Sequence, residues 1–468
     1  MPNEPIYGTI SSLANSRFAT THLLATSMEF FGRTEELHEL HQIRDISRES
    51  ARFTVITGRR RIGKTELVTH AFNDGVTPCL YFLVTRKPEK TQCTTFQEEA
   101  EKVLGIHIAG HCERFKEVLD AVFSEAVRRP LTLIIDEFQE FDRVEPGIFG
   151  DVQSIWDSYH TRAKINLVVC GSINRLINKI FFNDAEPLYG RNTGKLELKP
   201  FKVSLLKTIL AHYSPSYTKE DLLALWTISG GIARYVDLLM TNRAYTREKM
   251  LKTVFGQTTA FIDEGKVILI EEFGKDYGVY FAILSAIASG KTTSAEIRNE
   301  LGVEVGGYLT KLEESYSLIT KKQPLFEKTN NKGCHYQIDD CFFRFWFRFI
   351  FKYQYLIELG RYEELRALVD RDFHVFAGYA LERYFTWKTI EDTRCTRLGG
   401  WWDRKGENEI DLVIEDEFAG TLDFREIKID PARFNAASLD AKVTTFLAKN
   451  PTKKSLRQTR GCLSLNDM

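Results

Sequence analysis

Residues 58–65 constrain the fold of this chain more than any other stretch, because they carry the sequence GRRRIGKT. This sequence matches the pattern G-x-x-x-x-G-K-[ST], in which glycines let the backbone curl closely around a phosphate group. Residues 52–57 before it predict a buried strand, and residues 66–72 after it predict a helix. A helix N-terminus presents unpaired N–H groups and partial positive charge to an anion. The order strand, loop, helix therefore predicts a phosphate-binding loop, with a chance glycine–lysine turn as the alternative.

Two side chains of this loop add chemistry to its backbone. Lys64 can reach the β- and γ-phosphates of a nucleoside triphosphate as a point charge, and the Thr65 hydroxyl can ligate Mg²⁺. ATP and Mg²⁺ are therefore the cofactors that the loop predicts. The predicted nucleotide contacts are the loop residues and the one that follows them: Gly58, Arg59, Arg60, Arg61, Ile62, Gly63, Lys64, Thr65 and Glu66.

A second motif ends in two carboxylates. Residues 131–135 predict a buried strand and lead directly into Asp136 and Glu137. Ligands of α/β sheets bind at the carboxyl ends of the strands. A strand placed beside the strand of the phosphate loop would bring Asp136 to the Mg²⁺ shell and Glu137 to an attacking water. A solvated loop after a core strand is the alternative interpretation of this pair of acids.

Further polar positions follow the two motifs. Ser172, or alternatively Asn174, comes at the end of another predicted strand and can sense the γ-phosphate or hold the water. Arg191 follows a turn and can act as an arginine finger on the nucleotide of a neighbouring subunit, which would imply a homo-oligomer. A surface salt bridge is the alternative for Arg191. Residues 201–265 predict a helical lid, in which Arg234 follows two glycines and can contact phosphate when the lid closes.

These motifs together resemble the archaeal-type ATPases of the AAA+ superfamily, in the branch near the signal-transducing STAND ATPases. The resemblance covers about residues 29–250 and is carried by FGR, GRRRIGKT, LIIDEFQEF, VVCGS, PLYGR and GGIARY. It implies a P-loop AAA+ core at 29–200, a helical lid at 201–265, and hydrolysis of ATP. The chain departs from the family at Ala233, where a proline is usual, and this departure concerns the lid geometry rather than nucleotide binding.

Composition limits the remaining classes of protein. A chain of 468 residues is too long for one core and predicts about three domains. Its 63 basic and 64 acidic residues nearly cancel, so that contact with nucleic acid needs a local basic patch. The eight cysteines are scattered without a C-x-x-C pair, which argues against structural zinc. The sequence has no apolar run long enough to span a membrane and no signal-peptide pattern, so a cytoplasmic location is predicted, with Met28 as an alternative start to Met1.

Residues 275–340 predict a winged helix-turn-helix. Three helices, the second capped by Ser294, precede a strand pair at 318–320 and 335–338. The third helix, at 304–315, would enter a DNA major groove, yet it carries three glutamates against one lysine, which opposes phosphate affinity. DNA binding and a protein-contact or spacer role both stay open. The ribbon offers four lysines to DNA: Lys321, Lys322, Lys328 and Lys332.

Residues 342–352 are densely aromatic and predict a helix. Arg344, Arg348 and Lys352 recur every four residues and therefore form one stripe. Two interpretations stay open, a membrane-surface helix and a helix buried between domains with one solvated cationic edge. The apolar residues on the remaining faces favour the buried helix.

Two predicted strands near the end of the chain carry a second constellation. They run at 409–414 and 424–429, and if the turn between them is symmetric, the numbers of paired residues sum to 837. Asp411 then lies opposite Glu426, and the repulsion of two facing carboxylates must be compensated. A divalent cation would compensate it, and Lys428 lies on the same face. Such a group can cleave a phosphodiester, because the metal would polarise the phosphate and Lys428 would stabilise developing charge.

This pattern resembles the PD-(D/E)XK nucleases, and residues 275–430 resemble the C-terminal region that accompanies archaeal-type ATPases. The resemblance gives Asp411, Glu426 and Lys428 the D…E-x-K positions. It gives Glu382 the upstream acidic position, so that Glu382, Asp411 and Glu426 are the implied metal ligands. Two alternatives stay open: an exposed charged hairpin, and a nuclease fold that binds nucleic acid without cutting it.

The complete interpretation is an α/β fold in four parts. The parts are the P-loop AAA+ core (29–200), the helical lid (201–265), the winged helix-turn-helix (275–340), and an aromatic linker helix with a small α/β nuclease-like domain (341–468). ATP binding and hydrolysis would move the lid and so align or expose the C-terminal domain on DNA or RNA. The alternatives are a regulatory switch with an inactive nuclease-like scaffold and a DNA-binding regulator gated by nucleotide.

Overall fold

The computed structural model of this protein describes five stretches of the chain, which form two compact units. The described stretches are 28–172, 174–274, 277–326, 334–403 and 406–468, with only the backbone described at 174 and 175. The first unit contains residues 33–59 and 63–198, and the second contains residues 28–32, 60–62 and 199–468. The four-part division stays a prediction. Residues 1–27, the Asn174 side chain, Lys328 and Lys332 lie outside the described residues.

A five-stranded sheet forms the centre of the first unit. Its strands are β1 (Arg52–Thr57), β2 (Cys79–Leu83), β3 (Leu131–Asp136), β4 (Ile165–Gly171) and β5 (Gly194–Glu197). All neighbouring strands are parallel, and their order is β2-β3-β4-β1-β5. Every residue of β3 and β4 is buried, which requires that both faces of the sheet are covered.

Seven helices among the described residues of the first unit supply that cover. They are α1 (Thr34–Ser47), α2 (Lys64–Phe72), α3 (Glu89–Leu104), α4 (Phe115–Arg128), α5 (Phe141–Val144), α6 (Ile148–Tyr159) and α7 (Asn174–Phe182). α4 shows why these segments are helical, because its buried side chains recur at the three- and four-residue spacing of one helix face. Those side chains are Phe115, Val118, Leu119, Val122, Phe123 and Ala126.

The strand order corrects one expectation. β3, which delivers Asp136, does not lie beside β1, because β4 pairs with both strands and separates them. The sequence does not fix which strands of the sheet are neighbours. Asp136 nevertheless lies at the same edge of the sheet as the loop after β1, since the carboxyl ends of parallel strands share one edge.

The second unit begins with a group of helices over the region predicted as a lid. They are α8 (Val203–Tyr213), α9 (Lys219–Ser229), α10 (Ala233–Thr241), α11 (Arg247–Val254) and α12 (Phe261–Phe273). The start of α9 is a capping box, in which the Thr218 hydroxyl accepts the Asp221 N–H at 3.2 Å. Gly230, with φ of +56°, ends the same helix in the left-handed conformation that favours glycine.

Three helices and a two-stranded ribbon follow. They are α13 (Tyr277–Ala288), α14 (Ser294–Leu301), α15 (Gly306–Thr310), β6 (Ile319–Lys322) and β7 (His335–Ile338). The predicted cap of the second of these helices is wrong by one residue. Thr293 caps it, because the Thr293 backbone is extended while Ser294 is already helical, and the Thr293 hydroxyl accepts the Glu296 N–H at 3.3 Å.

The aromatic segment is buried. It forms α16 (Cys341–Phe345) and a wider helical turn at Trp346–Phe351, followed by α17 (Gln354–Glu358) and α18 (Tyr362–Asp392). The interpretation as a buried helix is confirmed, but its cationic edge is not all solvated, since Arg344 lies 3.5 Å from the centroid of the Tyr379 ring. Although α18 has 31 residues, none of the described helices is both long enough and apolar enough to cross a membrane.

A second sheet ends the chain. Its strands are β8 (Arg397–Trp402), β9 (Glu409–Asp416), β10 (Thr421–Lys428) and β11 (Arg457–Ser464), and α19 (Ala436–Lys449) precedes the last of them. The order is β11-β10-β9-β8, with β10 and β11 parallel and the other pairs antiparallel. The β9–β10 hairpin pairs Thr421 with Asp416 and Arg425 with Leu412, which is the predicted register.

Candidate functional site

The loop between β1 and α2 has the backbone that its glycines allow. Gly58 and Gly63 have φ of +148° and +96°, a region that residues with a Cβ rarely adopt. Arg61 also has a positive φ of +70°. Gly63, the N-cap residue of α2, has no side chain that could cap the helix. The first N–H groups of this helix therefore suit an anion as their partner.

Lys64 lies at the start of α2 and is buried. Its Nζ donates hydrogen bonds to the carbonyl oxygens of Gly58 at 3.0 Å and Arg59 at 3.3 Å. These bonds fold the ammonium back onto the backbone at the start of the loop. A buried ammonium held by loop carbonyls is well placed to exchange them for phosphate oxygens, which are stronger acceptors.

Asp136 is almost fully buried at the carboxyl end of β3 and accepts three hydrogen bonds. Its Oδ2 accepts the Thr65 hydroxyl at 2.6 Å and the Tyr81 hydroxyl at 2.7 Å, and its Oδ1 accepts the Glu137 N–H at 2.9 Å. Burial, together with the Asp136 charge, raises the pKa of Tyr81. The structure thus brings the predicted Mg²⁺ residues Thr65 and Asp136 into direct contact.

Glu137 follows in a left-handed conformation, with φ of +52°. Its Oε2 accepts the Ser172 hydroxyl at 2.9 Å and an N–H of the Gln139 amide. The predicted sensor residue and the predicted base are therefore hydrogen-bonded partners. A residue with a Cβ at positive φ stores strain, which is typical of sites where a side chain must be aimed.

The other predicted nucleotide residues have separate partners. Arg191 forms an ion pair with Asp157 at 3.3 Å, which is the surface salt bridge kept as its alternative. In the second unit, Arg234 pairs with Asp237 at 2.9 Å. Residues 60–62 also belong to the second unit. Arg60 forms an ion pair with Glu271, and Arg61 forms one with Glu264. Ile62 is fully buried. Glu66 is exposed on α2.

The C-terminal carboxylates form a second cluster. Lys428 Nζ donates to Asp411 Oδ2 at 3.0 Å and to Glu426 Oε2 at 2.7 Å, so that its ammonium lies between the two acids. Lys442, from α19, donates to the other oxygen of Glu426 at 2.7 Å. Asp411 Oδ2 also accepts the Ile427 N–H at 2.7 Å. The predicted D…E-x-K side chains are thus in contact, with one lysine more than predicted.

Titration in this cluster follows burial and charge. Burial and the neighbouring charges of Asp411 and Glu409 raise the pKa of Glu382 to about 8. Burial also raises the pKa of Asp411. At Glu426 burial acts in the same direction, but the hydrogen bonds from Lys428 and Lys442 outweigh it and lower the pKa. Across the described residues no group of three His, Cys, Asp or Glu side chains is arranged to hold a metal ion.

The long helix α18 connects this cluster to the helices at 203–254. The Ala380 carbonyl accepts the Trp226 indole N–H at 2.8 Å, and His374 Nε2 lies 3.0 Å from Glu220 Oε1. The carboxylate of Glu391 accepts the Val203 N–H at 2.7 Å. The same helix carries Glu382. Helix α18 contacts α8, α9, β9 and β10, and it therefore links these elements within the second unit.

The ribbon of β6 and β7 also contacts the C-terminal sheet. The Leu325 N–H donates to the Gly400 carbonyl at 2.9 Å, and the side chains of Leu325 and Phe326 pack against the core of that sheet. The Phe326 ring lies 5.8 Å from the ring of Phe446 in α19. The segment that follows β6 is therefore held by protein contacts.

Sequence reasoning missed three residues of these clusters: Tyr81, Gln139 and Lys442. Gln139 follows the acidic pair within the motif LIIDEFQEF, and its nearness to Glu137 was a usable signal. The other two reach their carboxylates from neighbouring elements, Tyr81 from β2 and Lys442 from α19. Only the packing of those elements reveals such partners.

Two family profiles match this chain. Residues 30–239 match a family described as an ATPase domain predominantly from Archaea. Residues 346–438 match a family described as archaeal and bacterial proteins of unknown function. A protein of Methanocaldococcus jannaschii, described as uncharacterized, is 29% identical over 411 residues, which cover 85% of this chain and 87% of that protein.

Solved structures resemble the fold. The Walker-type ATPase PABY2304 of Pyrococcus abyssi has a TM-score of 0.52 at 18% identity, covering 68% of this chain and 96% of its own. The ORC2 protein of Aeropyrum pernix, solved in ADPNP and ADP complexes, has a TM-score of 0.51 at 16% identity, covering 72% and 96%. At these identities the likeness shows the fold alone, and it confirms the predicted α/β core with a P-loop.

Proposed function

We propose that this protein, whose residues 30–239 form an archaeal-type ATPase domain, binds and hydrolyses ATP and uses the nucleotide cycle to control its C-terminal part. The observation that carries the proposal is the contact between Thr65 and Asp136 beside a buried Lys64. A hydroxyl, a carboxylate and an ammonium at a curled loop fit a triphosphate and its magnesium ion. A bound Mg²⁺ would neutralise charge on the phosphates.

The side chains of the first unit divide the remaining work. Lys64 holds the β- and γ-phosphates, and the amides of the loop and of the start of α2 hold the phosphate oxygens. Glu137 is the group proposed to take a proton from the attacking water. Its hydrogen bond from Ser172 fixes the direction in which the carboxylate points. Ser172 is thus proposed to report on the γ-phosphate through Glu137.

The helix α18 supports coupling between the helical lid and the C-terminal sheet. It contacts α9 through Trp226 and α8 through Glu391, and it carries Glu382 beside the C-terminal acids. A rigid helix held at several points moves together with the elements that hold it. We therefore propose that movement of α8 and α9 is transmitted to the C-terminal sheet as a whole, rather than rearranging Asp411 and Lys428 internally.

The C-terminal cluster is proposed to act on DNA or RNA. Nucleases of the D…E-x-K pattern use side chains of the same types as Asp411, Glu426 and Lys428. Carboxylate oxygens suit Mg²⁺ or Mn²⁺ as metal ligands. A metal ion would have to compete with the ammonium groups of Lys428 and Lys442 for Glu426. The binding-only alternative, in which the fold holds nucleic acid without cutting it, shares the same contacts. A regulatory switch with an inactive scaffold is the third alternative.

The second candidate function is nucleotide-gated DNA binding by a winged helix-turn-helix at 275–340. Three helices followed by an antiparallel ribbon support this topology. The packing of Leu325 and Phe326 on the C-terminal core favours a spacer or protein-contact role instead. The segment just after β6 is held on the C-terminal sheet, where the Leu325 N–H donates to the Gly400 carbonyl.

The ATPase proposal is tested by nucleotide binding and phosphate release from purified protein. Lys64→Ala is expected to lose both by about 100-fold or more, because the ammonium faces both ground-state and transition-state charge. Lys102→Ala is the matched control, since Lys102 is an exposed lysine of the same unit. Equal hydrolysis by wild type and Lys64→Ala would refute the proposal.

Light scattering with and without ATP tests the homo-oligomer that a finger role of Arg191 requires.

The C-terminal proposal is tested with labelled single- and double-stranded DNA and RNA, in Mg²⁺ or Mn²⁺, with and without ATP. Wild type is expected to cut, and Lys428→Ala is expected to bind without cutting. Lys449→Ala, an exposed lysine on α19, is the control. Binding without cutting by wild type would select the binding-only alternative. If wild type neither binds nor cuts nucleic acid, the regulatory switch with an inactive scaffold remains as the interpretation.

A further inference from the structure

Tyr81 reaches the carboxylate of Asp136, the proposed Mg²⁺ ligand, from a neighbouring strand. It lies in the middle of β2, and the parallel register pairs it with Ile134 of β3. Side chains two residues apart on a strand share a face, and their separation is about 6.6 Å. A phenol spans about that distance, so the Tyr81 hydroxyl arrives at the level of Asp136. The measured distance from its hydroxyl oxygen to Asp136 Oδ2 is 2.7 Å.

Asp136 is thereby held from three directions. Thr65 approaches from α2, Tyr81 from β2, and the Glu137 N–H from the following residue. Two of these bonds reach Oδ2 and the third reaches Oδ1, which fixes both the position and the rotation of the carboxylate. Because the group is buried, few water molecules are available to replace a lost donor.

We propose that Tyr81 is a positioning residue for the magnesium ion of ATP hydrolysis, acting through Asp136. This inference rests on the proposed ATPase function. The Tyr81 hydroxyl keeps the Asp136 carboxylate turned toward Thr65, so that the carboxylate and the Thr65 hydroxyl present a fixed pair of oxygens. Without the hydroxyl, Asp136 retains two donors and gains a freedom of rotation that magnesium binding must remove.

The chain offers a matched control for this bond. Tyr159 also donates its hydroxyl to a carboxylate of the first unit, Asp120, at 2.9 Å. Tyr159→Phe therefore removes a tyrosine–aspartate hydrogen bond at a site unrelated to the nucleotide. If Tyr81 were only structural, Tyr81→Phe and Tyr159→Phe would differ in stability alone.

The experiment measures ADP binding by calorimetry in EDTA and across a magnesium titration, with thermal unfolding of every variant. Tyr81→Phe is expected to bind ADP within about twofold of wild type in EDTA. The magnesium concentration that gives half of the tightening is expected to rise about tenfold, the size of effect for one hydrogen bond to a charged group. Tyr159→Phe is expected to match wild type throughout. Tyr81→Leu, a second variant without a donor, is expected to repeat the magnesium shift.

Three outcomes distinguish a failure of the Tyr81 proposal from a failure of the ATPase proposal. A magnesium titration of Tyr81→Phe that overlays wild type overturns the role of Tyr81 and leaves the ATPase proposal intact. An equal shift in Tyr159→Phe also overturns it, because the effect would then be general. Wild type that binds no ADP under any condition overturns the ATPase proposal itself.

Discussion

Glu391 caps the helix that begins at Val203: its carboxylate accepts the Val203 N–H at 2.7 Å across 188 residues of sequence. The same carboxylate accepts the next amide, that of Ser204, at 3.1 Å. The start of α8 is therefore satisfied by a side chain near the end of α18 rather than by its own N-cap residue, Lys202, which makes no side-chain cap. A carboxylate in that position also complements the positive end of the helix.

Glu391→Ala is expected to destabilise the docking of α18 on α8. Removal of a helix cap costs about 0.5–2 kcal/mol, and faster hydrogen exchange of the first α8 amides is the direct measurement. Glu391→Gln keeps an acceptor oxygen and is expected to lie between wild type and alanine. The exposed neighbour Asp392 provides the control in Asp392→Ala. Unchanged exchange at 203 and 204 in Glu391→Ala would contradict the capping role.

Glu137→Gln is expected to separate binding of ATP from its hydrolysis. The amide keeps the shape of the side chain but is no base, and loss of a general base lowers rates by about 10²–10⁴-fold. ATP affinity is expected to change by less than about threefold. Filter binding and phosphate release measure the two quantities, with Glu98→Gln on the exposed face of α3 as the control. Hydrolysis at the wild-type rate would show that another group accepts the proton.

The capping box of α14 predicts a pH effect on stability. Hydrogen bonds from the backbone amides of Thr293 and Thr292 lower the pKa of Glu296 from its ordinary value of 4.5. A carboxyl group with a lowered folded pKa stabilises the fold above its unfolded pKa, and that stabilisation is lost as the pH falls through the folded pKa. The loss is thus expected below about pH 4.5.

Glu296→Gln is expected to remove this acid-dependent contribution. Thermal unfolding from pH 7 to pH 3 would show a smaller fall in melting temperature for the variant than for wild type. Glu300→Gln, on the same helix and exposed, is the control and is expected to follow wild type. Parallel curves for wild type and Glu296→Gln would mean that the capping box does not contribute.

Lys442→Ala is expected to tighten Mn²⁺ binding at the C-terminal acids by several-fold. The Lys442 ammonium occupies one oxygen of Glu426 and lowers its pKa, so removing it frees that oxygen and leaves more negative charge in the site. Calorimetry of nucleotide-free protein measures the affinity, and Lys449→Ala on the same helix is the control. Weaker Mn²⁺ binding in Lys442→Ala would show that the lysine supports the metal site instead of competing with it.

Local sequence determined the parts of the site that lie close together in the chain. The loop at 58–65 could be placed because strand, loop and helix are consecutive. The meeting of Asp411 with Lys428 could be placed because a short hairpin turn fixes its own register. The exact capping residue of α14 could not, because Thr293 and Ser294 are both hydroxyl residues and only the backbone angles distinguish them.

Packing between distant segments determined the remainder. Sheet order is set by how helices cover the strands, so the position of β4 between β1 and β3 has no local signal. The same holds for Tyr81, whose partner depends on the neighbour of β2, and for Lys442, whose partner depends on how α19 lies on β10. The cap that Glu391 supplies to α8 depends on the path of a 31-residue helix.

The span of α18, about 46 Å for its 31 residues, decides how this protein can be dissected. A truncated protein that starts at residue 341 would retain this helix but lose its contacts with α8 and α9. The Ala380 carbonyl would lose the indole of Trp226, and the buried ring of Tyr384, 6.2 Å from that indole, would face water. A fragment made to study the C-terminal sheet should therefore begin before α8, near residue 199, so that it includes the helices that pack on α18.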